Sequence, residues 1–289
     1  MMNLEMLLYK DYLQKKNINN MELTYVIYSH TEFLDLLKIT YDYLENVDNK
    51  ILLINKSNHE HDIYSKFKKV LFYDDSLPYT NKVSEALSKI DSKYILFTHE
   101  VDVPLKRDES ILDKFIQLME LESIDRIDLQ PNGGQSGRFI KILKDKKVEE
   151  WPHIEFNEID NDDMCLGLHT NPDTYIYNVN PSIWNRNSLI EVFETFKGRT
   201  YRDIEYGDVQ NYCTKFKIYN LYSVNHTLRC GYMNSLPFYK YIHITHYRRL
   251  LRFDGTWKCE FGHTYIDAAE EYTEIVNKYN LRNCGRPFS

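Results

Sequence analysis

The amino-acid sequence predicts an α/β protein: a mostly parallel central sheet with helices on both faces, in a single domain. Three observations predict it. Strand and helix signals alternate through the first hundred residues. The strand segments are nearly continuous apolar runs, as expected of strands covered on both faces. No Ser- or Pro-rich linker and no internal repeat divides the 289 residues, a length able to bury one large core.

The elements follow in order. Residues 1–20 (MMNLEMLLYKDYLQKKNINN) read as a short amphipathic helical extension ahead of the domain at 21–289. They lack a basic n-region and a small-residue cleavage site, so no secretory signal is expected. ELTYVIYSH is the first strand. In the stretch after it, Phe33, Leu36, Leu37, Thr40, Tyr43 and Leu44 keep helical spacing. KILLINKS and KKVLFYDD are further strands, TNKVSEALSKI a helix, and KYILF a fourth strand. The second half is less regular. A strand runs through SIDRIDLQ into the Gly-rich PNGGQSG, read as a lid-like loop, and RFIKILKD is another strand. A long loop is expected over 151–173. TYIYNVNPSIWNRNSLIEVFETF reads as a strand, a turn at Asn180-Pro181 and a helix. RDIEYGDVQNYCTKF reads as helix, KIYNLYSV as strand, and YKYIHITHYRRLLRFDGTW as an extended run with a loop.

Composition narrows the function. Lys and Arg total 36 against 43 Asp and Glu, a net charge of −7, so no overall field attracts a nucleic-acid backbone and no such partner is expected. No apolar run approaches the roughly 20 residues of a membrane-spanning helix, so no integral membrane segment is expected. The five cysteines (Cys165, Cys213, Cys230, Cys259, Cys284) include no C-x-x-C pair; free thiols and a cytoplasmic location are expected. NHEHD (His59 to Asp62) mimics a metal cluster but lies in a polar stretch and reads as surface.

The chemistry concentrates where parallel strands end, because such sheets bind ligands beyond their carboxyl ends. Those ends carry Ser29 and His30, Asn55, Asp74 and Asp75, and the pair Glu100 and Asp102. In KYILFTHEVDVPL, an extended segment through Glu-Val-Asp would aim both carboxylates at one face. Like charges held so close call for a divalent cation or a cationic partner chain.

YDDSLPYTNKVSEALSKIDSKYILFTHEVDVPL resembles the nucleotide-sugar segment of GT-A (Rossmann-like) glycosyltransferases, especially those similar to family 2, with Glu100 and Asp102 as an E-x-D form of the D-x-D motif. The resemblance covers most of residues 23–257. It implies a nucleotide-sugar half at 21–130 and an acceptor half at 131–289. It further implies that Mn²⁺ or Mg²⁺ bridges these carboxylates to a sugar-nucleotide diphosphate, with a UDP-sugar as first choice; hard oxygen ligands suit both ions. Ser29, His30, Asp74, Asp75, Asn81 and Lys82 fall where the family contacts the nucleotide. The segment RDIEYGDVQNYCTKF is similar to the acceptor region that holds the catalytic base, Asp208 first and Glu205 next, with Asp203 third. On one helix Glu205 and Asp208 would be i, i+3 neighbours. In YIHITHYRRLLRFDGTW the resemblance implies a His that completes the metal site or contacts the diphosphate, and Arg248 and Arg249 pairing with phosphate oxygens. Alternation puts His243 and His246 on opposite faces, so one of them is expected at the site, His246 narrowly preferred. Trp184 and Trp257 are candidates for stacking on an acceptor sugar.

The implied activity is transfer of a sugar from a nucleotide donor to a hydroxyl of a glycan or other acceptor. Two alternatives stand beside it. A nucleotidyltransferase would open with a Gly-rich, basic loop, and YSHTEFLD has neither Gly nor Lys. A non-catalytic sugar-binding module on the same fold would bind its ligand without metal.

Overall fold

A computed structural model describes residues 22–56, 61–129, 164–168, 176–223, 233–235, 239–246, 249–250 and 269–281. The N-terminal helix expected over 1–20, the Gly-rich loop at 131–137, the strand at 138–145, His59, Arg248 and Trp257 lie outside them.

The chain forms one α/β domain around an eight-stranded, mostly parallel sheet. The strands β1 (Thr24–Tyr28), β2 (Lys50–Asn55), β3 (Lys69–Tyr73) and β4 (Tyr94–His99) are parallel and stand in the order β3-β2-β1-β4. The sheet continues through β8 (Ser182–Asn185), β6 (Arg126–Asp128), β9 (Ile218–Ser223) and β7 (Met164–Leu168). Here β8 runs antiparallel to both its neighbours, β6 is parallel to β9, and β7 is antiparallel to β9.

Alternating side chains of the apolar strands feed two cores. On one face Tyr25, Ile27, Leu52, Ile54 and Leu96 pack with α1 (Leu34–Tyr43) and α3 (Glu109–Glu122), whose Ile111, Leu112, Phe115, Ile116 and Met119 are buried. On the other face Val26, Ile51, Leu53, Ile95 and Phe97 pack with α2 (Tyr79–Leu87) and α4 (Arg186–Thr195). Helix α3 starts where the Asp108 carboxylate accepts the amides of Ser110 and Ile111, and stops at Ser123 in the left-handed region.

A second, three-stranded sheet orders β10 (Met233–Ser235), β11 (Tyr239–His243) and β5 (Asp102–Arg107), all antiparallel. Two short strands, β12 (Thr245–His246) and β13 (Arg249–Leu250), pair with each other. The last helix, α6 (Ala269–Lys278), covers the small sheet: Tyr272 and Ile275 pack with Val103, Ile242, Ile244 and the α1 residues Leu36 and Ile39.

Several expectations are corrected. Residues 100–101 form a turn, so Glu100 and Asp102 do not share one extended segment: the chain leaves the large sheet at His99 and enters the small one at Asp102. The strand near Asn180-Pro181 follows that dipeptide rather than preceding it. Strand β7 lies inside the stretch expected to be a long loop. Residues 203–213 are not one helix but a 3₁₀ turn (Asp203–Glu205) and α5 (Asp208–Cys213), parted by Gly207 at φ 68°. Trp184 is a core residue beneath the Arg126 guanidinium, not a surface ring.

Candidate functional site

The strand order reverses beside β1: β2 and β3 follow on one side and β4 returns on the other. Such a switch point opens a crevice at the carboxyl ends of the two strands. Ser29 and His30 leave β1 there, and His99, Glu100 and Asp102 leave β4.

The turn after β4 is tightly held. The Glu100 amide donates to the Tyr28 carbonyl at 3.1 Å, and the Thr40 hydroxyl donates to the Glu100 carbonyl at 2.7 Å. The Val101 carbonyl accepts the Ile244 amide at 2.8 Å. Both carboxylate residues are buried. Asp102 is the direct register partner of His243 across β5 and β11, and His243 Nδ1 lies 2.8 Å from Asp102 Oδ1. This is the clearest assembly of expected site residues: strands 141 residues apart in sequence bring a carboxylate and an imidazole together. The acidic motif is met by His243; of His246 only the backbone, paired with Arg249, is described.

Around this turn stands an aromatic cluster. Tyr28 stacks on Tyr73 at 5.2 Å and meets Tyr79 and His99 edge-on. Tyr201 meets both Tyr79 (5.3 Å) and His99 (5.2 Å) edge-on, and the Tyr79 hydroxyl lies 3.1 Å from His99 Nε2. Burial pushes the His99 imidazole down to about 4, with Asp102 opposing the shift, so its ring is neutral near pH 7. Burial raises the hydroxyls of Tyr28, Tyr73, Tyr79 and Tyr201, and the Glu205, Asp102 and Glu100 carboxylates add to the effect at Tyr201. These hydroxyls stay protonated and available as donors. None of the five was singled out from the sequence. Tyr28 and His99 carried a usable signal, since they end β1 and β4; Tyr201 carried none.

A second group forms at the ends of β1 and β3. His30 Nδ1 accepts the Glu32 amide at 3.1 Å, which places the proton of a neutral ring on Nε2, 2.8 Å from Asp75 Oδ2. The other Asp75 oxygen takes Lys82 Nζ at 3.0 Å, and that ammonium also lies 4.8 Å from the centre of the Tyr73 ring. Burial works to raise the Asp75 carboxyl, but hydrogen bonds from His30 and Lys82 outweigh it and hold it low. The other expected residues stand apart from this group. Ser29 is fully buried, with its carbonyl accepting the Tyr73 hydroxyl at 2.7 Å. Asp74 faces solvent and builds a turn by accepting the Ser76 amide and hydroxyl. The Asn81 side-chain oxygen accepts the Gly198 amide at 2.8 Å.

The two base candidates differ sharply. Glu205 turns inward: its Oε1 accepts the Val179 amide at 2.8 Å, and burial raises its carboxyl above the usual range. Asp208 faces solvent in a bidentate pair with Arg199 at 3.0 and 2.9 Å. Gly207, between them in a backbone conformation closed to L side chains, parts their directions. Asp203 is exposed and accepts the Thr200 hydroxyl at 2.6 Å.

The carboxylates of Glu100 and Asp102 are the right donor type for Mn²⁺ or Mg²⁺; the His243 imidazole suits Mg²⁺ poorly and stands as a partner of Asp102. Among the described residues no group of three His, Cys, Asp or Glu side chains is assembled to hold a metal ion.

No protein-family model and no curated protein matches the sequence. Solved structures resemble the fold at low identity. A cytidylyltransferase from Leptospira borgpetersenii serovar Hardjo-bovis aligns with TM-score 0.38 and 12% identity, over 70% of this chain and 76% of that one. S. aureus TarS 1–349 in complex with UDP aligns with TM-score 0.41 and 11% identity, over 70% of this chain and 60% of that one. The same fragment in complex with UDP-GlcNAc gives 0.39 and 12%, over 70% and 58%. Values this low leave the chemistry to be read from the site's own residues.

Proposed function

We propose that the chain is a cation-assisted glycosyltransferase, moving a sugar from a nucleotide-sugar donor, a UDP-sugar first, to a hydroxyl of a glycan or other acceptor. One observation carries the reading: the buried Asp102 stands at the switch point of a parallel sheet, with His243 at 2.8 Å and Glu100 in the adjoining turn. Two buried acids at the place where such folds receive phosphorylated ligands are donors that a cation would use. Glu100 and Asp102 would hold that cation, with His243 orienting Asp102; when bound, it would neutralise charge on the leaving diphosphate. His30, Asp75 and Lys82 form the adjoining wall for the nucleoside side of the donor. Glu205 suits the base that takes the acceptor proton, because its raised carboxyl lies nearer neutral pH than an ordinary one. Asp208, exposed and paired with Arg199, suits it less.

Calorimetric titration with UDP, GDP, CMP and dTDP, each with and without Mn²⁺, tests the reading. One nucleotide is expected to bind only with metal. Asp102→Asn should weaken that binding on the order of 100-fold, the upper end of effects seen for disturbed metal sites, with an unchanged circular-dichroism spectrum. Equal binding by Asp102→Asn would sink the metal assignment. Release of pyrophosphate from a nucleoside triphosphate and a sugar phosphate would move the chain to nucleotidyl transfer.

A further inference from the structure

Only three large apolar side chains are markedly exposed among the described residues: Phe72 at 43%, Tyr201 at 38% and Tyr206 at 55%. Phe72 lies on β3, edge-on to Tyr64. The other two share one short segment, bounded by Gly198 at φ 87° and Gly207 at φ 68°, the only positive-φ glycines among the described residues. A Cβ at either glycine would meet no atom within 4 Å, so the backbone conformation, not crowding, asks for glycine there. At its start the segment is pinned to α2: the Gly198 amide donates to Asn81, and Thr80 and Arg199 exchange hydrogen bonds. At its end the Glu205 carboxylate reaches inward to Val179.

The segment is thus a fixed arch over the edge of the site. Tyr201 leans on Tyr79 and His99, one residue from the acidic turn, with its hydroxyl end buried, yet the residue leaves over a third of its surface in water. Tyr206 is exposed further out, next to the inward-turned Glu205. Between and beside the rings are exposed polar groups: Asp203, and the Arg199–Asp208 ion pair.

We infer that the arch Arg199–Tyr206 is the acceptor-binding rim, with Tyr201 as the inner and Tyr206 as the outer stacking surface for the rings of a saccharide. A pyranose has an apolar C–H face edged by hydroxyls, and the arch has aromatic faces edged by carboxylates and a guanidinium. A second copy of the chain fits less well. Two tyrosines bury at most about 500 Å² together, against the roughly 800 Å² per partner of a stable protein interface. A purely apolar ligand would leave the charged edge unmatched. The inference rests on the proposed transfer reading and names the acceptor class for it.

The test is saturation-transfer NMR on the full chain, with methyl β-D-glucopyranoside, methyl β-D-galactopyranoside and methyl N-acetyl-β-D-glucosaminide as probes. UDP with Mn²⁺ is titrated in parallel. Wild type is expected to transfer saturation to the ring protons of at least one glycoside. Tyr206→Ala and Tyr201→Ala should each bind it about 3- to 10-fold more weakly, the size of one lost aromatic contact, while Tyr201→Phe, which keeps the ring, binds as wild type. UDP affinity should be unchanged in Tyr206→Ala, which also reports that the variant folds. No transfer to any glycoside in wild type, or undiminished binding by both alanine variants, overturns the inference. Saccharide binding that persists while every nucleotide stays silent would instead overturn the transferase reading and leave the arch as a sugar-binding surface.

Discussion

His99 and His243 both border Asp102, and their surroundings give them different parts. His243 is partly exposed and takes the carboxylate directly, whereas His99 is buried among tyrosines and held neutral, its pKa pushed down to about 4 mainly by burial. An unfolded histidine takes its proton near pH 6.5, so between 6.5 and 4 the unfolded chain binds a proton that the folded one refuses. The contribution is therefore complete above pH 6.5 and is lost as pH falls toward 4, by up to about 3 kcal/mol. Urea midpoints measured at pH 7.0, 5.5 and 4.5 should fall steeply in wild type and less steeply in His99→Phe. Parallel slopes would show that His99 does not drive the acid loss. His243 was a candidate through the family resemblance, with strand alternation setting it against His246, which was narrowly preferred. The sequence did not single out His99, the residue just before the acidic pair, because burial, rather than position in a motif, sets its chemistry.

At the scale of elements, the parallel strands were legible because each is an unbroken apolar run bounded by polar residues. Strand β5 was hidden by its own composition: it opens with Asp102 and contains Pro104. Pro104 is tolerated because, among the described strands, β5 is an edge strand bonded only to β11, where a missing amide donor is harmless. Helices α3 and α6 carry apolar residues at helical spacing, as Ile111, Leu112, Phe115, Ile116 and Met119 of α3 show. Strand β7 is a short apolar run, MCLGL, set in a polar stretch, and its pairing with β9 defines it as a strand. The break between Glu205 and Asp208 was signalled by Gly207 alone. Its φ of 68° with ψ of −126° lies where only glycine is comfortable, and no neighbour crowds the position. Gly207→Ala should therefore cost about 1–3 kcal/mol through backbone strain, read as a lower urea midpoint. An unchanged midpoint would mean that the arch can relax without loss.

Over the whole molecule, the small sheet holds the site together as much as the large one does. Its core joins α1, β5 and β11 to α6, and the Tyr272 hydroxyl donates to the Ile244 carbonyl at 3.1 Å, one residue beyond His243. Tyr272→Ala empties a buried ring position and should destabilise the fold by about 3–5 kcal/mol, measured by urea unfolding; a loss below about 1 kcal/mol would show that α6 is only loosely applied. Which faces are buried could be read from the sequence, but not that α6 closes on β11. That contact depends on long-range packing, which leaves no local period. The same topology sets an order in time. Asp102 is made 141 residues before its partner His243, an interval of roughly 7 to 30 s at ribosomal speeds of about 5–20 residues per second. Through that interval the newborn chain already carries the residues of its parallel strands β1–β4, while the acidic corner waits for its imidazole. The corner is completed only once β11 has been made, so a nascent protein that stalls before it would hold Glu100 and Asp102 without His243.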